Sequence, residues 1–140
     1  MHDDFPEILR LGIPEVDLEH VLQVQILGAI SNALLEGDRD QARKLIRQLQ
    51  DVTAAHFIAE QLLMRLHSYP GHQTHEREHD RLIEELQHLE GRIAAGEHDA
   101  PETTREFEKW LVHHILTADK AFGAYLLDRE SERSKSPMPS

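Results

Sequence analysis

Residues 73–96 read QTHEREHDRLIEELQHLEGRIAAG, and the spacing inside this stretch decides the fold. Leu82, Leu86, Leu89 and Ile93 recur in steps of three and four, the period of one face of an α-helix. Charged and amide side chains fill most positions between them, and Gly96 ends the pattern. Extended toward the N-terminus, the same apolar stripe passes through His79 and His75. A helix over residues 73–95 therefore turns two histidines toward whatever interior the leucines face.

The same period appears on both sides of this stretch. One helix is predicted over residues 16–35, with Asp17 as its N-cap candidate and Gly37 just past its end. A second is predicted over 39–66, capped by Asp38 and broken by Ser68-Tyr69-Pro70-Gly71. A fourth opens with Pro101 in its first turn and runs to about Leu127. No segment sustains the two-residue alternation of a strand, so no sheet is predicted. Short links between long helices favour an all-α, antiparallel up-down-up-down four-helix bundle. Residues 1–127 form this single domain, with an extended arm over 1–15 whose Phe5, Ile8, Leu11 and Ile13 can lie against the bundle. Residues 128–140, DRESERSKSPMPS, are charged and Ser/Pro-rich and read as a disordered tail or the start of a linker.

Composition narrows the functions. The chain has 140 residues, enough for one cored domain, and no cysteine, which excludes disulfides and thiolate metal sites. The formal charge of -11 repels nucleic acid and anionic membranes, so neither is an expected partner. No stretch is expected to supply the roughly 20 apolar residues of a membrane span. The acidic start, MHDDFPEIL, is unlike a signal peptide. A cytoplasmic protein is expected. Histidine is the unusual component, at 11 residues.

Placing the histidines on the predicted helices gives a pattern. The second helix has a stripe of Leu45, Leu49, Val52, His56, Glu60 and Leu63. The fourth has Phe107, Leu111, His114, Ala118 and Phe122, with Asp119 beside it. The first has His20, Val24, Leu27, Ser31 and Leu34. Every helix thus carries a histidine on the face that should be buried. A buried carboxylate must be paired or bind a cation, and a buried imidazole needs a partner at each ring nitrogen. Antiparallel packing brings His20, His56, Glu60, His75, His79, His114 and Asp119 to a similar level. Metal ions would satisfy all seven together. His2, His67, His72, His88, His98 and His113 fall mostly in loops, ends or polar faces and are read as surface residues or as neighbours of the ligands, without a ligand role of their own. Five imidazoles and two carboxylates exceed what one zinc ion takes and are too poor in oxygen for calcium or magnesium. A pair of iron or manganese ions suits them.

Four motifs carry a more specific reading: GIPEVDLEH (12–20), HFIAEQLLM (56–64), YPGHQTHEREH (69–79) and WLVHHILTAD (110–119). Over residues 5–127 the chain resembles the hemerythrin family, in particular the bacterial hemerythrins, with all seven ligand positions filled. The resemblance implies a non-haem pair of iron ions joined by an oxo or hydroxo bridge. His75, His79 and His114 would hold one iron, His20 and His56 the other, and Glu60 and Asp119 would bridge them. It further implies reversible O2 binding at an open position on the two-histidine iron. Phe57, Leu63 and Ile115 are candidates for an apolar wall of the O2 pocket. Gln23, one turn after His20, is a candidate hydrogen-bonding neighbour.

The chain departs from the family pattern where Phe5 replaces a frequent Trp, Glu19 a usual Gln, Val21 and Gln23 a frequent Lys and Leu, and Gln61 a common Glu. These departures are expected to bear on the pocket and its access without touching a ligand. Three functions fit: O2 storage or delivery, an O2- or redox-responsive input domain joined to a signalling partner, and a di-iron enzyme acting on peroxide or nitric oxide. Binding without turnover is the expectation, because few carboxylates leave little charge to support highly oxidised iron.

Overall fold

The computed structural model describes residues 11–135, and side chains as far as residue 131. His2, Phe5, Ile8 and most of the expected arm lie outside the described residues. Four helical rods make the structure: α1 (Pro14–Leu35), α2 (Arg39–Leu66), α3 (His72–Ala95), and a long last rod. That last rod is α4 (Ala100–His114), a single π-helical segment (Ile115–Asp119) and α5 (Lys120–Lys135) in unbroken succession. α1 packs on α2 and α4, and α3 on α2 and α4, so consecutive helices are neighbours around a square. This is the expected antiparallel four-helix bundle, with no strand among the described residues.

The helix ends follow from local chemistry. The Asp38 carboxylate accepts from Gln41 N–H at 3.1 Å and caps α2. Gly96 takes φ +68 at the end of α3, a conformation that glycine adopts without strain, and Glu97 N–H returns to Arg92 O at 3.1 Å. α1 starts two residues earlier than expected, because Pro14 supplies a helical φ at its first position. Asp17 is therefore not the cap, which is Ile13. Its carboxylate instead accepts from Leu11 N–H at 2.7 Å and Gly12 N–H at 3.2 Å, tying the end of the arm onto the helix. A side chain already one turn inside the helix can do this only because Gly12, at φ +83, turns the chain back.

Four further expectations change. The helix continues past Leu127 to Lys135, through the charged segment read as tail or linker. Its Asp, Arg, Glu, Ser and Lys residues contain no breaker before Pro137, so nothing local stops it. On α1 the buried side chains are Asp17, His20, Gln23, Leu27, Ile30 and Ala33, while Val24, Ser31 and Leu34 are only half-buried. α1 is apolar on nearly all sides, with Leu18, Leu22 and Leu35 exposed, so its hydrophobic period marks the inward face poorly. For the same reason α1 is long and apolar enough by composition to cross a membrane, against the expectation that no stretch approaches this. It serves here as one wall of the bundle. On α2 the inward face is Ile46, Leu49, Thr53, His56, Phe57, Glu60 and Met64, with Leu45, Val52 and Leu63 half-buried at its margin.

The core divides along the bundle axis. Leu27, Ile30, Ile46, Leu49, Leu82, Leu86, Leu89, Ile93, Phe107 and Leu111 are closed off from solvent in one half. The seven polar side chains lie in the other.

Candidate metal centre

His20, His56, Glu60, His75, His79, His114 and Asp119 are all buried, none more than 4 % exposed. They form two sets that share Asp119: Glu60, His75, His79, His114 and Asp119, and His20, His56 and Asp119. Within each set the donor atoms lie within 4.8 Å of one another. Helix geometry explains the first part of this convergence. His56 and Glu60, and His75 and His79, are each four apart and project from one face.

His114 and Asp119 are five apart. On an α-helix, at about 100° per residue, that spacing would point them roughly 140° apart. The π-helical segment between them widens the turn and brings Asp119 under His114, with Nε2–Oδ1 at 3.0 Å. It also explains why Ala118, expected on the inward stripe, is half-buried while Ile115 and Asp119 are closed in.

Asp119 belongs to both sets, and Glu60 belongs to the first with its second oxygen turned toward His56. Asp119 Oδ1 lies 2.9 Å from His75 Nε2 and 3.0 Å from His114 Nε2, and its Oδ2 lies 3.0 Å from His20 Nε2. Glu60 Oε1 lies 2.7 Å from His75 Nε2 and 2.9 Å from His79 Nε2, and its Oε2 lies 3.9 Å from His56 Nε2. One oxygen of each faces the three-histidine set and the other faces the two-histidine set.

Many of these short approaches lack hydrogen-bond alignment. The Nε2 atoms of His20, His56, His79 and His114, with Glu60 Oε1 and Asp119 Oδ2, are buried without a hydrogen-bond partner. Donors aimed past one another at a common third point look like this. Around an ion with bonds of about 2.1 Å, adjacent donors at right angles sit roughly 3.0 Å apart. The residues therefore fit metal ions, which would satisfy atoms that otherwise cost stability.

The outer ring nitrogens show a second pattern. His56 Nδ1 lies 3.2 Å from Glu19 Oε2, His79 Nδ1 is 2.9 Å from Gln61 Oε1, and His114 Nδ1 is 3.2 Å from Glu78 Oε1. In each case the acceptor immediately adjoins a cluster residue on one helix and serves a histidine on the next: α1 to α2, α2 to α3, α3 to α4. For His79 and His114 the contact is a hydrogen bond, and an acceptor there places the proton on Nδ1 and leaves the inward Nε2 with its lone pair free, while Glu19 lies within ion-pair reach of His56. Gln61 Nε2 in turn donates to Glu76 Oε1 at 3.4 Å, which turns its amide oxygen toward His79. Glu19 and Gln61 were expected not to touch a ligand, and the structure corrects this. Both act on the cluster from one residue away in sequence, a reach that only the neighbouring helix reveals.

With protons alone to balance its charge, the cluster is strongly polarised. Burial would lower the His75 pKa, but its contacts with Asp119 and Glu60 outweigh that and raise it to about 9. Burial would raise Asp119, yet His114, His20 and His75 hold it well below the usual carboxylate range. Burial pushes His79 down, with Glu60 opposing. Burial would also lower His114, but Asp119 holds it up.

Phe57 is buried and stacks on His79, ring centroids 3.8 Å apart and planes 1° from parallel. Ile115 is fully buried beside His114, whereas Leu63 is only half-buried. Gln23 is fully buried and bonds to Thr53. His67, His72, His88, His98 and His113 join neither set and are half-buried or exposed, as expected of surface residues.

A four-helix bundle with histidines from every helix and two buried carboxylates among them defines a class of cation-binding bundle proteins. Residues 11–126 match the family model described as the hemerythrin HHE cation binding domain. The chain belongs to the hemerythrin family. It is 30% identical over 111 residues to the bacteriohemerythrin of Methylococcus capsulatus, covering 79% of this chain and 85% of that one. It is 29% identical over 114 residues to the bacteriohemerythrin of Stenotrophomonas maltophilia, covering 81% and 74%. Hemerythrin subunit 1 of Golfingia vulgaris is 31% identical over 81 residues, covering 58% and 61%.

Proposed function

We propose that this protein holds two iron ions and binds O2 reversibly at an open position on one of them. The observation that carries the reading is the split allegiance of Glu60 and Asp119. Each turns one oxygen to His75 and its companions and the other to the two-histidine side. A carboxylate so placed would bridge two ions rather than serve one. His75, His79 and His114 would hold the first iron, and His20 and His56 the second, with an oxo or hydroxo group joining them. The second iron would have two imidazoles against three, which would leave it the position for a ligand.

When bound, the iron pair would supply the electrons that O2 takes up and returns. The chain supplies the rest. Burial excludes bulk water from the cluster. Gln61 and Glu78 hold His79 and His114 in the tautomer that presents Nε2 inward, and the Glu19 carboxylate faces His56 Nδ1. The paucity of carboxylates favours binding over turnover, because less negative charge is available to stabilise highly oxidised iron.

The reading is tested by loading the protein with ferrous iron without air and recording its optical spectrum before oxygenation, after it, and after O2 is removed. A visible band that appears with O2 and disappears when O2 is withdrawn is expected. A protein that holds two irons yet stays colourless in air is not an O2 carrier.

A further inference from the structure

Among the described residues, four buried polar side chains lie outside the seven cluster residues: Asp17, Gln23, Thr53 and Thr104. Two of them serve the backbone. Asp17 accepts from Leu11 and Gly12, and the Thr104 hydroxyl donates to Ala100 O at 2.8 Å. Gln23 and Thr53 serve each other, with Gln23 Nε2 donating to Thr53 Oγ1 at 3.1 Å across the α1–α2 interface. Both are fully buried, and Gln23 Oε1 has no partner. An amide has four hydrogen-bonding positions and Thr53 uses one of them. Leaving the others unmet in a closed interior is costly, and a leucine would fill the same space without that cost.

The position of the pair suggests why it is there. Gln23 lies three residues after His20, on the same inward face of α1, and Thr53 lies three residues before His56, on the inward face of α2. The His20 and His56 rings are themselves in edge contact, with centroids 4.9 Å apart. In antiparallel helices these offsets put Gln23 and Thr53 at one level, a single turn from the two histidines, between them and the apolar layer of Leu27 and Leu49. The neighbour of the two-histidine side is thus a polar pair with an amide N–H and an amide oxygen unspent.

We propose that Gln23, held in place by Thr53, hydrogen-bonds to a small ligand on the two-histidine metal and favours ligands that accept a hydrogen bond, such as triatomic anions. This rests on the di-iron reading above and adds a selectivity to it. The amide NH2 carries two protons: one goes to Thr53 and the second is available to a ligand. Thr53 fixes which end of the amide is turned that way.

Azide is the probe, titrated into the oxidised, iron-loaded protein after its iron content is measured. Gln23→Leu should weaken azide binding about tenfold while keeping two irons per chain, the loss of one hydrogen bond to a charged ligand. Thr53→Val should weaken it less, and Thr53→Ser, which keeps the hydroxyl, should restore it. The double variant Gln23→Leu/Thr53→Val removes both partners together, so its iron-free form should melt no lower than the parent, which guards against a misfolded single variant. Its azide affinity should still fall about tenfold. Unchanged or tighter azide binding in the iron-loaded Gln23→Leu or double variant would overturn the role of Gln23 and leave the di-iron reading standing. A parent protein that fails to hold two irons would overturn both.

Discussion

The two halves of the bundle use the same four helices for opposite purposes. Toward the Gly37 and Gly96 ends, the interior is leucine, isoleucine and phenylalanine, and Thr104 is the buried polar side chain among them. Its hydroxyl is satisfied within its own helix turn. Toward the other end, between Asp17 and Gln23 on α1 and between His114 and Phe122 on the last rod, the interior holds five imidazoles, three carboxylates, an amide and a hydroxyl. The first half is stable through apolar burial alone. The second buries ionisable groups most of whose inward atoms have no aligned partner, which is destabilising until a cation arrives. On this division the apolar half is expected to let the chain fold without metal, and the polar half to make metal binding a source of stability.

The largest expected effect breaks the comparison open. Removing metal from the loaded protein should cost about 4 kcal/mol per ion, and so about 8 kcal/mol for the pair, if free metal had stood a thousandfold above each dissociation constant. The loss should be local, with amide hydrogen exchange speeding up around residues 53–64, 75–79 and 114–119 while residues 27–33 and 86–93 stay protected. Uniform loosening, or identical melting with and without metal, would contradict the division. Next comes a change in the apolar half. Leu86→Ala removes a fully buried side chain and should cost about 3 kcal/mol, by the same amount in the iron-free and iron-loaded proteins. A cost that depends on metal would mean that the halves are strongly coupled.

A smaller effect tests the polar half from outside. Glu78→Ala removes the acceptor from His114 Nδ1 and should weaken metal binding by about 10- to 100-fold, leaving the melting temperature of the iron-free protein nearly unchanged. An unchanged metal affinity would reduce Glu78 to a surface contact. The smallest effect is one of pH. His75 holds its proton up to about 9 when no metal is present, against an ordinary value of 6.5. Its raised pKa stabilises the iron-free fold fully below pH 6.5, and that contribution is lost as pH rises through about 9. Metal must expel this proton, so affinity should rise between pH 6.5 and 9 by up to about tenfold per unit. Calorimetry in buffers of different ionisation heat measures the released proton, and an affinity flat across that range would contradict the assignment.

Much of this was legible in the residues. α2 and α3 declare themselves by period, and His56/Glu60 and His75/His79 by a spacing of four on buried stripes. His114 and Asp119 carried a subtler signal. Two inward-facing residues five apart do not share a face on an α-helix, so their joint presence already called for the π-helical segment that the structure contains. α1 was harder, because leucines on its outer side blur the phase, and its inward face includes Gln23 and Ile30 rather than Val24 and Ser31. The roles of Glu19, Gln61 and Glu78 were not legible from any one helix. Each lies beside a cluster residue in sequence but acts on the helix next door, and that pairing follows only from how the helices are rotated against each other. The extension of the last helix to Lys135 was obscured by composition, since charged and serine-rich residues suit an exposed helix as well as a tail.

The central claim is that Glu60 and Asp119 each serve two ions. Anaerobic titration of the metal-free protein with ferrous iron, followed by metal analysis after desalting, tests it most directly. The account predicts saturation at two irons per chain; saturation at one, or no retained iron, would contradict it.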